Sequence, residues 1–186
     1  MKVLGISGSP RKDGNTEILI REALEGAKAK GAEVEMVALS GKEIKGCQAH
    51  PSCGQGGKCL IEDDMQPIYA KMMEADAIII GTPIYFGGMT GQTKSFLDRT
   101  YLLSKMGRKL EGKVGGIIAV GGRAGHEFTT ATIMDYMTLQ GFVLPSGAFA
   151  HSFVRDLGAA KGDEKSMKAA RALGERVAAL ALKLKA

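Results

Sequence analysis

The segment Ser7-Gly-Ser-Pro-Arg-Lys-Asp-Gly-Asn-Thr16 gathers hydroxyls, an amide and a guanidinium between a short apolar run and a stretch of helical period. Free backbone N–H groups at a helix start, with the positive end of the helix dipole, attract an anion. Ser7, Ser9, Asn15 and Thr16 add donors, and Arg11 can fork onto two oxygens. Hydrogen bonds to a charged group contribute roughly 1.5–3 kcal/mol each, so three or four of them hold a phosphomonoester without a metal. The segment is not a P-loop, because no Gly-Lys-Ser/Thr follows. Nor is it a dinucleotide fingerprint, since G-x-G-x-x-G is absent and the second apolar run ends Ala38-Leu39-Ser40, without an acid for a ribose hydroxyl. A capped helix start with a surface loop is the plainer alternative, but it needs fewer donors than this segment carries.

Two later segments have complementary chemistry. Thr82-Pro83-Ile84-Tyr85-Phe86-Gly87-Gly88-Met89-Thr90 offers apolar and aromatic surface beside glycines whose bare backbone lets N–H groups approach a flat ring. Gly121-Gly122-Arg123-Ala124-Gly125-His126-Glu127 is a second glycine-rich stretch, carrying a cation, an imidazole and a carboxylate. If the three segments meet, their ligand has a phosphate at one end and a planar ring with hydrogen-bonding edges at the other. FMN is such a ligand.

The elements that must bring these segments together are legible in the apolar pattern. Short β-branched runs at 2–7, 33–39, 76–81, 113–121 and 142–148 alternate with helical periods at about 15–30, 64–75, 91–105, 127–140 and 163–185, which predicts a parallel sheet covered by helices on both faces. In such a sheet the loops after the strands all emerge at the carboxyl edge, where ligands bind. The 64–75 helix is the clearest: Met65, Ile68, Tyr69, Met72 and Met73 share one stripe, and Asp63 or Asp64 can cap it. The chain has 186 residues, 45% hydrophobic and 24% charged, enough for one core without disulfides.

The net charge of +5 is local. Residues 161–186 carry seven Lys/Arg against three Asp/Glu, leaving 18 against 17 elsewhere. In the terminal helix Met167, Ala170, Leu173, Val177, Leu180 and Leu184 form one stripe and the basic residues another, so a packed amphipathic helix is expected rather than a nucleic-acid surface. No apolar run approaches the roughly 20 residues of a membrane helix, and the N-terminus has no signal-peptide pattern, so a cytoplasmic protein is expected. Three cysteines at 47–59 then remain reduced, as candidates for metal or redox roles. They lie in an aperiodic stretch, 40–62, that is too long for a plain turn.

The three glycine-containing segments resemble the flavin loops of the NADPH-dependent FMN reductase family, within the flavodoxin-like fold, and are most similar to its iron–sulfur flavoprotein branch. The resemblance covers about residues 1–145. It implies an α/β three-layer sandwich with a five-stranded parallel sheet in the order 2-1-3-4-5, bound FMN, and a homodimer or homotetramer with the flavin near an interface. By position, Ser9, Arg11, Asn15 and Thr16 are then the phosphate residues, with Ser7 beside them. Pro83, Ile84, Tyr85, Phe86 and Gly87 border the ring, and Gly122 and Arg123 close the site. Hydride would come from NADPH or NADH, and electrons would leave to a quinone, free flavin, metal ion or iron–sulfur partner, with no obligate side-chain acid or base. A flavodoxin-like electron carrier is the alternative. Such carriers resemble acidic proteins, and this chain is basic. A metal-binding regulatory domain built around residues 40–62 is a third reading.

The iron–sulfur branch carries four closely spaced cysteines in that stretch. Here Cys47, His50, Cys53 and Cys59 keep the register, with His at the second position. Imidazole replaces thiolate on iron in Rieske centres, although that precedent concerns another cluster. A lost ligand is also how a cofactor is abandoned. An iron–sulfur cluster, a zinc ion on the same residues and free thiols therefore all stay open.

Overall fold

The computed structural model describes residues 1–185, along which six strands and six α-helices follow one another. Strands β1 (Lys2–Ser7), β2 (Glu33–Ala38), β3 (Ala77–Tyr85), β5 (Val114–Val120) and β6 (Phe149–Ser152) pair in parallel in the order β2-β1-β3-β5-β6. The two-residue strand β4 (Gly88–Met89) folds back antiparallel onto the end of β3. With β4 set aside, the parallel strands run 2-1-3-4-5. The central strands read as continuous apolar runs because both sheet faces are covered: Val3, Leu4, Ile6, Ile78, Ile79, Ile80, Ile117 and Ile118 are all fully buried.

Helices α1 (Asn15–Ala29) and α6 (Glu164–Lys185) cover one face, and α2 (Gln66–Glu74), α3 (Gly91–Arg99), α4 (Tyr101–Lys105) and α5 (His126–Leu139) lie on the other. In α6, Ala170, Leu173 and Val177 are fully buried, whereas Leu184, at the end of the expected stripe, is exposed. Helices α1 and α6 touch backbone to backbone. A Cβ on Gly174 would overlap the Ala23 carbonyl, and one on Gly26 would overlap that of Arg171. Among the described residues no helix is long and apolar enough to cross a membrane.

Three element boundaries differ from the sequence expectation. The last strand lies at Phe149–Ser152, not 142–148; only Val143 of the earlier segment bridges the sheet, to Val114. Pro145 lacks an N–H and Gly147 has φ 65°, so the chain turns between the bridge and the strand. The 91–105 helix breaks at Thr100, where α3 hands over to α4 and the Thr100 hydroxyl donates to Leu97 O at 2.6 Å. Strand β3 runs on through Pro83 to Tyr85 instead of stopping at 81, its end pairing with β5 and β4.

Candidate functional site

The loop after β1 is anchored by backbone and threonines rather than by its own side chains. Gly8 N–H donates to Gly81 O at 2.7 Å, and the Thr90 hydroxyl, at the start of α3, donates to Gly8 O at 2.8 Å. Thr90, Thr93 and Thr82 continue the network at 2.7 and 3.0 Å, all buried. Gly8 has no room for a side chain, since a Cβ would overlap Thr93 Oγ1. The Ser9 hydroxyl folds the turn by bonding both the N–H and the carbonyl of Arg11 at 3.1 Å.

Helix α1 then begins at Gly14, which caps it without a side-chain acceptor. Glu17, buried in the first turn, reaches back to the Asp13 N–H at 3.1 Å and pairs with Arg21 at 3.0 Å. The first N–H groups of α1 are thus left to point outward at the carboxyl edge of the sheet, where an acceptor supplied by a ligand is the natural partner.

They face a cavity of about 270 Å³ lined by Ser9, Arg11, Gly14, Asn15 and Thr16 on one side and Pro83, Ile84 and Tyr85 on the other. Gly121 and Gly122, after β5, and Val154, Arg155 and Leu157, after β6, complete it. A second cavity, of about 530 Å³, shares Ile84, Tyr85, Gly121, Gly122 and Arg155 with the first, and adds Phe86, Gly87, Arg123 and Ala124. The two are lobes of one cleft. Phe86 and Gly87 form the β3–β4 turn with φ of 49° and 82°, and positive φ at both central residues is the hairpin geometry that matches strand twist. The conformation is uncommon for a bulky residue, and it holds the Phe86 ring fully out in solvent at the rim.

The structure therefore brings together Ser9, Arg11, Asn15, Thr16, Pro83, Ile84, Tyr85, Phe86, Gly87, Gly122 and Arg123 around one cleft. Ser7 lies outside it: it is fully buried, and its hydroxyl accepts from the Ser9 N–H at 3.4 Å. Asn15 lines the cleft with the others, and its side chain has a second set of partners. Its side-chain amide donates to Asp156 O at 2.8 Å and its oxygen accepts from the Ala160 N–H at 3.1 Å, so the side chain ties the segment after β6 to the start of α1. Val154, Arg155 and Leu157 were not anticipated. They follow β6 at the same edge as the other loops, so placing the last strand at 149–152 would have exposed them as a fourth cleft loop. Arg11, Arg123 and Arg155 have no carboxylate partner among the described residues. Three guanidinium groups without an ion-pair partner give the cleft a positively charged lining.

Beside the cleft, His126 is fully buried, donating from Nε2 to Ser152 O at 3.0 Å and packing on Phe153 with ring centroids 3.9 Å apart. His151 bonds the Thr130 hydroxyl at 2.8 Å, and burial, with the neighbouring His126, holds its imidazole below the usual range.

The cysteine insertion is tied at its ends by one buried ion pair. Arg99 of α3 forks onto both Asp63 oxygens at 2.5 and 3.0 Å, and donates further to Lys45 O at 2.9 Å and to Cys59 Sγ at 3.5 Å. Both side chains are buried. Burial alone would raise the Asp63 carboxyl, but Arg99 and the N–H groups of Lys45 and Met65 outweigh it and hold the group below the ordinary carboxylate range. Asp63 accepts from the Met65 N–H in the turn just before α2, and Asp64 from the Glu43 N–H across the insertion, so neither is the helix cap expected of them: the N-cap is Met65, without a side-chain acceptor. Between these ends Cys47 is exposed, and Cys53 and Cys59 are half-buried and unpaired. Burial, with the nearby Cys59 and Cys47, pushes the Cys53 thiol up. Among the described residues no three His, Cys, Asp or Glu side chains converge closely enough to hold a metal ion. The donor types suit a cluster or zinc and their placement does not, so no chemistry is assigned to a metal here.

The sequence profile of the NADPH-dependent FMN reductases matches residues 1–156. An iron–sulfur flavoprotein of Methanocaldococcus jannaschii is 41% identical over 96% of each chain, and an NAD(P)H-dependent FAD/FMN reductase of Geobacillus thermodenitrificans is 31% identical over 82% of this chain and 78% of its own. RosB, solved with a bound 8-demethyl-8-formylriboflavin-5'-phosphate intermediate, superposes on the whole chain and 80% of its own with a TM-score of 0.82 at 22% identity, a likeness of fold. With a cleft at the carboxyl edge of a 2-1-3-4-5 sheet and a profile match over most of its length, the chain belongs to the NADPH-dependent FMN reductase family.

Proposed function

We propose that the chain is an FMN-dependent oxidoreductase that takes hydride from NADPH or NADH and delivers the electrons to an acceptor, either a small molecule such as a quinone, free flavin or metal ion, or an iron–sulfur protein. One observation carries the reading: the N-terminus of α1, which has no side-chain cap, and Arg11 line one lobe of a cleft whose other lobe is walled by Tyr85, Phe86 and glycine backbone. An anion-binding end joined to a flat apolar end suits FMN. The N–H groups of α1, with Ser9, Arg11 and Thr16, hold the phosphate. Pro83 to Gly87, Gly122 and Arg123 border the ring, and Ser7 shapes the turn behind Ser9. FMN, when bound, supplies hydride acceptance at its N5, so the protein's task is to bind, orient and restrict access.

A homodimer or homotetramer fits the same surface. Phe86, Phe128, Phe149 and Phe153 are exposed around the ring lobe and the β6 edge, a concentration of aromatic area that a second copy would cover. The unpaired thiols suit a reducing cytoplasm. Neither a membrane nor a nucleic-acid partner is proposed.

Apoprotein titrated with FMN is expected to quench the flavin fluorescence to a one-to-one end point. The bound flavin should bleach anaerobically with NADPH or NADH and recover on addition of a quinone or ferric compound. Bleaching by dithionite alone would instead support a flavodoxin-like carrier, and absence of FMN binding would overturn both.

A further inference from the structure

Arg155 is the one charged residue common to both lobes of the cleft; Arg11 lines only the first and Arg123 only the second. Its stem lies flat on the loop after β5. A Cβ on Gly122 would overlap Arg155 Cγ, so the glycine is what lets the arginine cross there. The side chain is exposed and no carboxylate among the described residues neutralises it. Its segment is fixed by Asn15, whose amide holds Asp156 O and the Ala160 N–H from the first turn of α1. The residue that opens the phosphate helix thus also sets the position of a free cation at the junction between the phosphate lobe and the ring lobe.

We propose that Arg155 is a binding residue for the ring end of the cofactor, stabilising the negative charge that the ring acquires on reduction, and that Asn15 is its positioning residue. The inference rests on the FMN reading above. In the hydride step the C4–H bond of the dihydronicotinamide breaks with its electron pair, an N–H bond forms at flavin N5, and NAD(P)⁺ leaves. No proton is needed from the protein, and the ring gains one negative charge. A fixed cation beside it favours the reduced form over the oxidised form and so raises the midpoint potential. A cation on the phosphate would do neither, because the phosphate charge is the same in both states.

The experiment separates these cases. FMN and riboflavin affinities of the oxidised apoprotein, and the two-electron midpoint potential of the FMN-loaded chain, are measured for the wild type, Arg155→Met, Asn15→Ala and Arg11→Met. Arg155→Met, which keeps the stem and loses the charge, is expected to bind oxidised FMN nearly as before but to lose about tenfold in preference for the reduced form, a fall of about 30 mV in potential. Asn15→Ala should move the potential in the same direction by releasing the segment. Arg11→Met should weaken FMN but not riboflavin and leave the potential in place. Equal loss of oxidised and reduced FMN in Arg155→Met, with an unmoved potential, would put Arg155 on the phosphate and overturn the proposal. An unmoved potential with unchanged affinities would put it in solvent and overturn it too. A wild-type chain that binds no FMN fails before any variant is compared, and that outcome identifies the functional reading as the error.

Discussion

The cleft and the cysteine insertion are both built from segments that leave the carboxyl edge of the same sheet, yet they are constructed on opposite plans. In the cleft the recognition groups are largely backbone: the start of α1, the Phe86–Gly87 turn and the glycines after β5, each fixed by a strand end or by the buried Thr82, Thr90 and Thr93 network. In the insertion the groups that could do chemistry are side chains on an aperiodic loop, and order is concentrated at its two ends, where Arg99 holds Asp63 and Lys45. Backbone donors are placed by folding itself. Side-chain ligands on a loop need their metal, or each other, to converge.

The contrast can be broken most severely at Asp63. Asp63→Asn leaves Arg99 buried without its partner, and removing one member of a buried pair costs about 3–5 kcal/mol. The urea midpoint should fall accordingly, while FMN affinity of the remaining folded protein is retained, because Asp63 and Arg99 do not line the cleft. A loss of FMN affinity as large as the loss of stability would mean that the two regions are one. The sign of the pH effect follows from the depressed Asp63 carboxyl. Its contribution to stability is present above the unfolded carboxylate value and is lost as pH falls through the lower folded value. The acid-unfolding curve of the wild type should therefore lose, in Asp63→Asn, the part of its slope that lies below the ordinary carboxylate range.

Arg11→Met tests the other side. Losing one charge-assisted contact of roughly 1.5–3 kcal/mol predicts FMN binding weaker by on the order of 10- to 100-fold, with the thermal midpoint of the apoprotein unmoved. A smaller effect, about 1–2 kcal/mol, is expected from Thr90→Val, which removes the hydroxyl that caps α3 and holds Gly8 O. Here stability and FMN affinity should fall together, since the same network shapes the phosphate turn. The mildest measurement is thiol labelling near neutral pH, followed by mass spectrometry. Exposed Cys47 should react before Cys53, whose thiol is pushed up by burial and by its neighbours; the reverse order would show the insertion to be more closed than described.

Much of this was legible in the residues because parallel strands buried on both faces read as apolar runs, and because a phosphate turn must carry donors next to a helix start. What escaped notice depended on distance along the chain. The Asp63–Arg99 pair spans 36 positions, and nothing local distinguishes Arg99 from a solvated residue on an amphipathic helix. The type and place of Asn15 suit a phosphate residue, and only the fold shows that its amide is also engaged 141 positions away. Arg155 is hard to place from the residues alone, because the apolar run at 142–148 is interrupted by Pro145 and Gly147, and the strand that precedes it, Phe149-Ala-His-Ser152, is too short and mixed to stand out.

The seam where Gly26 and Gly174 bring two helices into backbone contact reaches further than packing. Gly26 lies eleven residues beyond Asn15, roughly 17 Å down the same rod at 1.5 Å per residue. A larger residue at either glycine would lever that rod about its far end and swing the tip that presents its amides to the ligand. A screen for cofactor loss should therefore recover Gly26 and Gly174 alongside the residues that line the cleft.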